Sequence, residues 1–326
     1  MNVEDILANA EGFENKDPFL IAHNFYCPRT EFEAPKRIWE TRAAWATGDT
    51  ARDKDNKDPE DVEQFLDLSY GPLGESNLLD IYKPKEITRK LPVILNIHGG
   101  AYFYGDKFLY HYYCCELAKY GFAVIGMNYR LAPEYHFPGP IEDIHAAIAF
   151  AIQNADAYGL DLEHFFLVGD SAGAQLASHY AIVHSNPSFA ARYGLAPHAE
   201  IKLCALGLAC GLYDVRRRAR TMLEDERVFD YLGEQVKLED PRLDLEENIT
   251  EAFPPSYLFT SECDFLKGEC EPMAMLLRSR GCIAEYDVYG SKDTPEINHV
   301  FHMNLQSAEG RKAIDAQMAF FERFCR

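Results

Sequence analysis

Between an apolar run at 165–168 and the helix-forming residues of 174–181 stands Gly169-Asp170-Ser171-Ala172-Gly173. A strand that bends into a helix within so few residues has no room for side chains beside the bend. Glycines therefore take both outer positions and the serine oxygen is lifted clear of the backbone. At the helix start the amide of Ala172 has no intrahelical partner and points where a negative oxygen would form. The same five-residue pattern also occurs in ordinary turns rich in small residues; the strand before it and the helix after it distinguish this instance.

The surrounding pattern supplies the rest of such a sheet. Short continuous apolar runs recur at 93–97, 123–127, 203–208 and 257–260, which suits strands buried on both faces. Between them come segments with helical spacing, among them Ile141, Ile144, Ala147 and Ile148, then 176–183 and 273–277. Strand alternating with helix predicts an α/β fold with a mostly parallel sheet wrapped on both faces. Two earlier runs, 64–70 and 77–82, are separated by Gly71-Pro72-Leu73-Gly74 at hairpin spacing, so the first strands are expected to be antiparallel. With 326 residues, 47% of them hydrophobic, the chain can bury one large core.

Texture divides the chain. Residues 48–63 are crowded with charge and hold only Ala51 and Val62 as apolar side chains, which reads as a solvated linker. The preceding segment sets Phe19, Phe25, Trp39 and Trp45 among polar residues, as helices do that must dock to bury rings. The expected organisation is an N-terminal helical cap and charged linker over 1–63 and a catalytic domain over 64–326. A cap insertion is expected at 212–251, where a charged, helix-prone stretch separates two strands.

The net charge of −20 opposes binding to nucleic acid or to an anionic membrane surface, since both are held through Lys and Arg. No run approaches the roughly 20 apolar residues of a membrane span, and 1–10 carries two acids where a signal peptide has a basic start. A soluble, cytoplasmic protein is the expectation. Nine cysteines, with no C-x-x-C pair and no metal-ligand spacing, read as reduced thiols, though the spacing does not exclude a disulfide.

His98-Gly99-Gly100-Ala101 closes the run 93–97 and offers a loop whose backbone amides can approach a ligand closely; His98 reads as a brace for that loop rather than a proton carrier. Taken in order, His98-Gly99-Gly100, Tyr129-Arg130-Leu131-Ala132-Pro133-Glu134 and Gly169-Asp170-Ser171-Ala172-Gly173 resemble the hormone-sensitive-lipase-like carboxylesterases of the α/β-hydrolase superfamily, across roughly 64–326. The resemblance implies the α/β-hydrolase fold, a mostly parallel eight-stranded sheet with helices on both faces and a helical cap. It implies no cofactor, oxyanion donors at Gly99, Gly100 and Ala172, and a turn held by pairing of Arg130 with Glu134.

In such a protein the serine is followed by an acid and then a histidine. Asp264, in Ser261-Glu262-Cys263-Asp264-Phe265-Leu266, is similar to the family's acid motif; it would alternatively cap a helix starting near 267, and Glu262 and Asp287 compete with it. His299, in Asn298-His299-Val300-Phe301, takes the position of the base, with His302 as its rival. His111, His145, His179 and His184 read as surface or packing residues. Asp143 reads as a carboxylate at a helix start, and the run Arg216-Arg217-Arg218-Ala219-Arg220 as a solvated helix face in preference to an anion guide.

These types carry nucleophilic acyl transfer: Ser171 attacks, His299 takes its proton and Asp264 orients the imidazole. The expected function is serine carboxylesterase action on small-molecule, short-chain acyl esters, with monomer and homodimer both open. A deacetylase of acetylated sugars, an amide or formamide hydrolase, and a small-peptide hydrolase would use the same residues, and a non-catalytic ligand-binding receptor could share the fold. Two departures from the family pattern bear on the substrate. Ala101 replaces a glycine and narrows the space beside the oxyanion, before the aromatic run Tyr102-Phe103-Tyr104, which would wall the pocket or pack under the cap. Asp240-Pro241-Arg242-Leu243-Asp244 lacks the usual Ser-Pro continuation.

Overall fold

The computed structural model describes residues 36–87, 89–221 and 226–325. Phe19, Phe25 and the rest of 1–35, the first part of the expected cap, lie outside the described residues. Eight strands form one sheet: β1 (Val62–Ser69), β2 (Leu78–Pro84), β3 (Leu91–Ile97), β4 (Ala123–Met127), β5 (Leu160–Asp170), β6 (Leu203–Ala209), β7 (Ser256–Ser261) and β8 (Ala284–Tyr289). Their order is β1-β2-β4-β3-β5-β6-β7-β8, antiparallel at β1/β2 and β2/β4 and parallel at the other pairs. This is the expected α/β-hydrolase sheet, with the two early strands antiparallel as their hairpin spacing predicted.

All seven residues of β3 are buried, as a strand covered on both faces requires. Their alternation sorts them: Val93, Leu95 and Ile97 join one core cluster and Ile94 the other. The first cluster takes Ile141, Ile144, Ala147 and Ile148 from the helix Gly139–Gln153 and Leu176, Ala177 and Tyr180 from Ala172–Ser185. The second takes Cys114, Leu117 and Ala118 from His111–Ala118 and Ile314, Met318 and Phe321 from Ala308–Glu322.

The register places the ends of the central strands side by side. Ile97 pairs with Gly169, Asp170 with Ala209, and Ala209 with Phe259. The segments that leave β3, β5 and β6, with that leaving β7, therefore emerge together at the carboxyl edge of the sheet.

Ahead of the sheet a helix, α1 (Lys36–Asp53), lies against that edge. The stretch read as a solvated linker from residue 48 begins inside this helix. The charges inside the helix are paired and half-buried, since the Arg52 guanidinium meets both Asp49 and Asp53, whereas 54–61 follow without helix or strand and leave Lys54, Asp55, Lys57, Asp58, Glu60 and Asp61 exposed, as a linker would. Pairing, invisible in composition, lets a charged segment fold against the protein.

Arg42 on α1 is 1% exposed. Its Nε donates to the Phe103 carbonyl (2.6 Å) and its Nη2 to the Ala132 carbonyl (3.0 Å), and Nη2 lies 3.6 Å from the Glu134 carboxylate. Glu134 thus faces Arg42 and not Arg130, as the family resemblance had implied. Arg130 instead spans the start of the helix Gly139–Gln153: Nε bonds Asp143 (2.9 Å) and Nη2 bonds Glu142 (2.8 Å) and the Gly139 carbonyl (2.9 Å). Asp143 also accepts the Arg130 amide at 2.8 Å, so it does more than favour a helix dipole. The resemblance favoured Glu134; the helix start supplies two carboxylates that bond Arg130 directly.

Removing one member of a buried ion pair strands the other charge and costs about 3–5 kcal/mol. Arg42→Met is therefore expected to lower unfolding free energy in urea by about that amount, and adding Glu134→Gln to restore part of it. Equal stability of Arg42→Met and the parent would refute the role given to this pair.

Candidate active site

The turn between β5 and the following helix is as tight as the glycines required. A Cβ on Gly169 would lie 2.4 Å from the Gly173 carbonyl oxygen, and one on Gly173 would lie 2.0 Å from that of Ile97. Ser171 sits at φ 52°, ψ −117°, a strained backbone held by its surroundings, with its amide donating to the Ala209 carbonyl (2.9 Å).

Ser171, His299 and Asp264 meet in one hydrogen-bonded line. His299 Nε2 is 3.0 Å from Ser171 Oγ and His299 Nδ1 is 2.7 Å from Asp264 Oδ1. Asp264 Oδ1 also accepts the Leu266 amide (2.9 Å), and Oδ2 accepts the Thr260 hydroxyl (2.7 Å). Burial pushes the Asp264 carboxyl up. The His299 hydrogen bond and charge, with the Leu266 and Thr260 donors, outweigh it and hold the acid below its ordinary value. An acid kept ionised, an imidazole aligned by it and a hydroxyl in reach make a path along which a proton can leave the serine.

The competitors are elsewhere. Glu262 pairs with Lys267 (2.6 Å) and Asp287 accepts from the Tyr257 hydroxyl (2.7 Å). His302 is buried edge-on to Phe259 and Tyr113, and burial depresses its pKa to about 3. His179 packs against Phe137, Phe189 and Tyr193, and His145 stacks on His198 at 3.9 Å, as packing residues would.

The loop after β3 lies against the same serine. His98 Nδ1 donates to the Gly99 carbonyl (2.7 Å), its ring stacks on Tyr129, and burial lowers its pKa to about 4, which suits a neutral brace. One expectation fails here. The Gly99 amide donates to the Tyr110 hydroxyl at 2.9 Å, so it is not offered to a ligand. Gly100, Ala101 and Ala172 line the cavity in front of Ser171. Gly100 (φ 116°) could carry no side chain, because a Cβ would fall 2.0 Å from the Tyr104 carbonyl oxygen. Ala101 and Tyr102 follow with φ 51° and 68°, left-handed without glycine.

The cavity measures about 540 Å³. Its walls are mainly apolar: Trp45, Leu109, Leu212, Val228, Phe265 and Met303. Asp49, Arg52 and Arg218 add a polar side. The aromatic run after the glycine loop is split between the two roles left open. Tyr102 and Tyr104 line the cavity, and Phe103 is buried under α1, stacked on Trp45 at 5.4 Å. The arginine run is also divided, with Arg216 on Asp244, Arg217 on Glu269 and Arg218 at the cavity, and so is not simply a solvated face.

Tyr110, Asp170 and Asp49, to which the sequence pattern assigned no separate role in the site, complete it. Asp170 Oδ2 accepts the Tyr110 hydroxyl at 2.9 Å, and the Tyr104 hydroxyl donates to Asp49 at 2.5 Å. The only signals were Asp170's place inside the serine turn and the aromatic density around Tyr110. Burial pushes Asp170 up to about 6, against the Tyr110 hydrogen bond and the charges of His299 and Arg52.

Similarity to known proteins covers most of the chain. The family described as BD-FAE matches residues 79–259. The chain is 28% identical over 250 residues to Esterase LipQ of Mycobacterium tuberculosis, covering 74% of this chain and 58% of that protein. It is 26% identical over 238 residues to ethyl acetate hydrolase of Pseudomonas putida, covering 70% and 72%. Among solved structures it is similar to Esterase B of Lactobacillus Rhamnosis (HN001), with TM-score 0.81, 25% identity and coverage of 88% and 94%. The chain spans little more than half the length of LipQ.

Because the fold raises Asp170 from 3.8 to about 6, the native state holds this proton more tightly than the unfolded chain does, although the carboxylate is ionised at neutral pH. That contribution to stability is full below the unfolded value and is lost as pH rises through about 6. The thermal midpoint of the parent relative to Asp170→Asn is expected to fall between about pH 4 and pH 6 and to level off above about pH 7. A difference constant over that range would contradict the shift.

Proposed function

We propose that this chain, which belongs to the BD-FAE family, is a serine carboxylesterase that hydrolyses short-chain acyl esters through an acyl-enzyme on Ser171. The observation that carries this reading is the Ser171–His299–Asp264 line opening into an apolar cavity beside the glycine loop. The names borne by its relatives, an esterase and an ethyl acetate hydrolase, point the same way.

Ser171 Oγ attacks the ester carbonyl carbon as His299 Nε2 takes its proton, and Asp264 stabilises the resulting imidazolium. The tetrahedral oxygen is met by the amides of Gly100 and Ala172. Ala101 replaces Gly99 as the third donor, because the Gly99 amide is spent on Tyr110. The protonated His299 gives its proton to the departing alkoxide. Water, deprotonated by the same imidazole, then attacks the acyl-enzyme and releases the acid. One oxyanion donor is typically worth about 2.7–4 kcal/mol in the transition state.

On this reading α1 and the 212–251 insertion act as the cap of the catalytic unit, since Trp45, Leu212 and Val228 wall the cavity. Among the described residues no helix is long and apolar enough to cross a membrane. A cytoplasmic location is part of this reading, since nine cysteines with no C-x-x-C pair suit a compartment that keeps thiols reduced.

The test is hydrolysis of 4-nitrophenyl esters of increasing acyl length by the parent and by Ser171→Ala. Turnover is expected to fall roughly a million-fold in the variant, and Asp264→Asn to cost roughly ten-thousand-fold. Fluorophosphonate labelling should disappear with the serine. Undiminished hydrolysis by Ser171→Ala would remove the esterase reading. Binding without hydrolysis by the parent would favour a receptor.

A further inference from the structure

Two successive peptide groups of the glycine loop are clamped by side chains that take no part in the proton path. The peptide joining His98 to Gly99 is held at both ends: its carbonyl accepts the Tyr129 hydroxyl (2.8 Å) and its amide donates to the Tyr110 hydroxyl (2.9 Å). In the next peptide, the Gly99 carbonyl accepts from His98 Nδ1 (2.7 Å). A trans peptide is planar, so fixing the Gly99 oxygen fixes the opposite direction for the Gly100 N–H. The orientation of that oxyanion donor is thus set one peptide upstream.

Tyr110 extends the clamp to the nucleophile. Its hydroxyl donates to Asp170 Oδ2 at 2.9 Å, and Asp170 is the residue before Ser171. An amide can only donate and a carboxylate only accept, so the proton order Gly99 to Tyr110 to Asp170 has one direction. Tyr110 is 7% exposed and Asp170 2% exposed, so water competes little for either bond. The two segments already touch, because a Cβ on Gly99 would fall 2.5 Å from Asp170 Oδ2. What the hydroxyl adds is the tilt of the loop relative to the serine.

We propose that Tyr110 is a positioning residue for the reaction, its hydroxyl locking the oxyanion-binding loop to the serine turn through Asp170. The proposal rests on the assignment of Ser171 as nucleophile. It explains why a costly buried carboxylate stands at this place: Asp170 gives the tyrosine a strong acceptor and so fixes which way its proton points.

The experiment compares Tyr110→Phe with the parent in kcat, KM and the inhibition constant of butylboronic acid, which forms a tetrahedral adduct on the serine. A loop tilted out of line weakens tetrahedral species and leaves ground-state binding alone. The expected result is a ten- to hundred-fold fall in kcat, an equally weakened boronate and KM within about twofold. A kcat within twofold of the parent, or a loss confined to KM, would overturn the proposal. Should Tyr110→Phe lack a cooperative melt, Asp170→Asn decides in its place, with a kcat loss of at least about fivefold expected at an unchanged KM. The Ser171→Ala control separates the two levels. Activity surviving in it sinks the nucleophile assignment, whereas an inert control beside an unimpaired Tyr110→Phe sinks only the role of Tyr110.

Discussion

The site is built on one steric constraint, the near-contact of the ends of β3 and β5. These strands run parallel with Ile97 opposite Gly169, so the loop leaving one and the helix leaving the other must share a space with no room for a Cβ at Gly173, beside the Ile97 oxygen, or at Gly99, beside Asp170. Meeting that constraint with glycine leaves backbone amides, and no side chains, facing the serine. It also forces Ser171 into a strained conformation that presents its hydroxyl outward. The sheet thus supplies both the exposed oxygen and the dipoles beside it.

Around this contact the protein has placed charge where a stability-optimised core would not. Asp170 lies beneath the loop, and Arg42 and the Asp49–Arg52 pair join α1 to the segment 103–109. Buried charges bring little net stability compared with well-packed apolar groups, but they have direction, which apolar packing lacks. Each one here ends on a carbonyl, an amide or a hydroxyl belonging to the loop. Orientation of backbone dipoles is the return for that cost, and a pre-oriented dipole is what stabilises developing charge without reorganising.

Much of the fold was legible because its signals are local. Apolar runs at 93–97 and 123–127 can only be satisfied by covered strands, and the glycine pair around Ser171 states the turn outright. Asp264 and His299 were readable from their neighbours and their order after the serine, and they meet at hydrogen-bonding distance. Gly99 was misjudged because two adjacent glycines look equally available. Only the arrival of Tyr110 from a later helix start decides which amide is spent. The charged stretch misled only at its start, residues 48–53, for a related reason, since composition counts charges and cannot tell a solvated acid from one facing an arginine.

By itself, then, the amino-acid order determined the strand and helix alternation, the serine turn, and the identity of the acid and base, all of which depend on neighbouring residues or on fixed chain order. Tertiary structure alone decided which carboxylate takes Arg130, which glycine keeps a free amide, and which side chains wall the cavity. Those outcomes depend on the angle at which segments tens of residues apart converge. Hydrogen bonds respond to tenths of an ångström in such convergence, and residue types do not encode it.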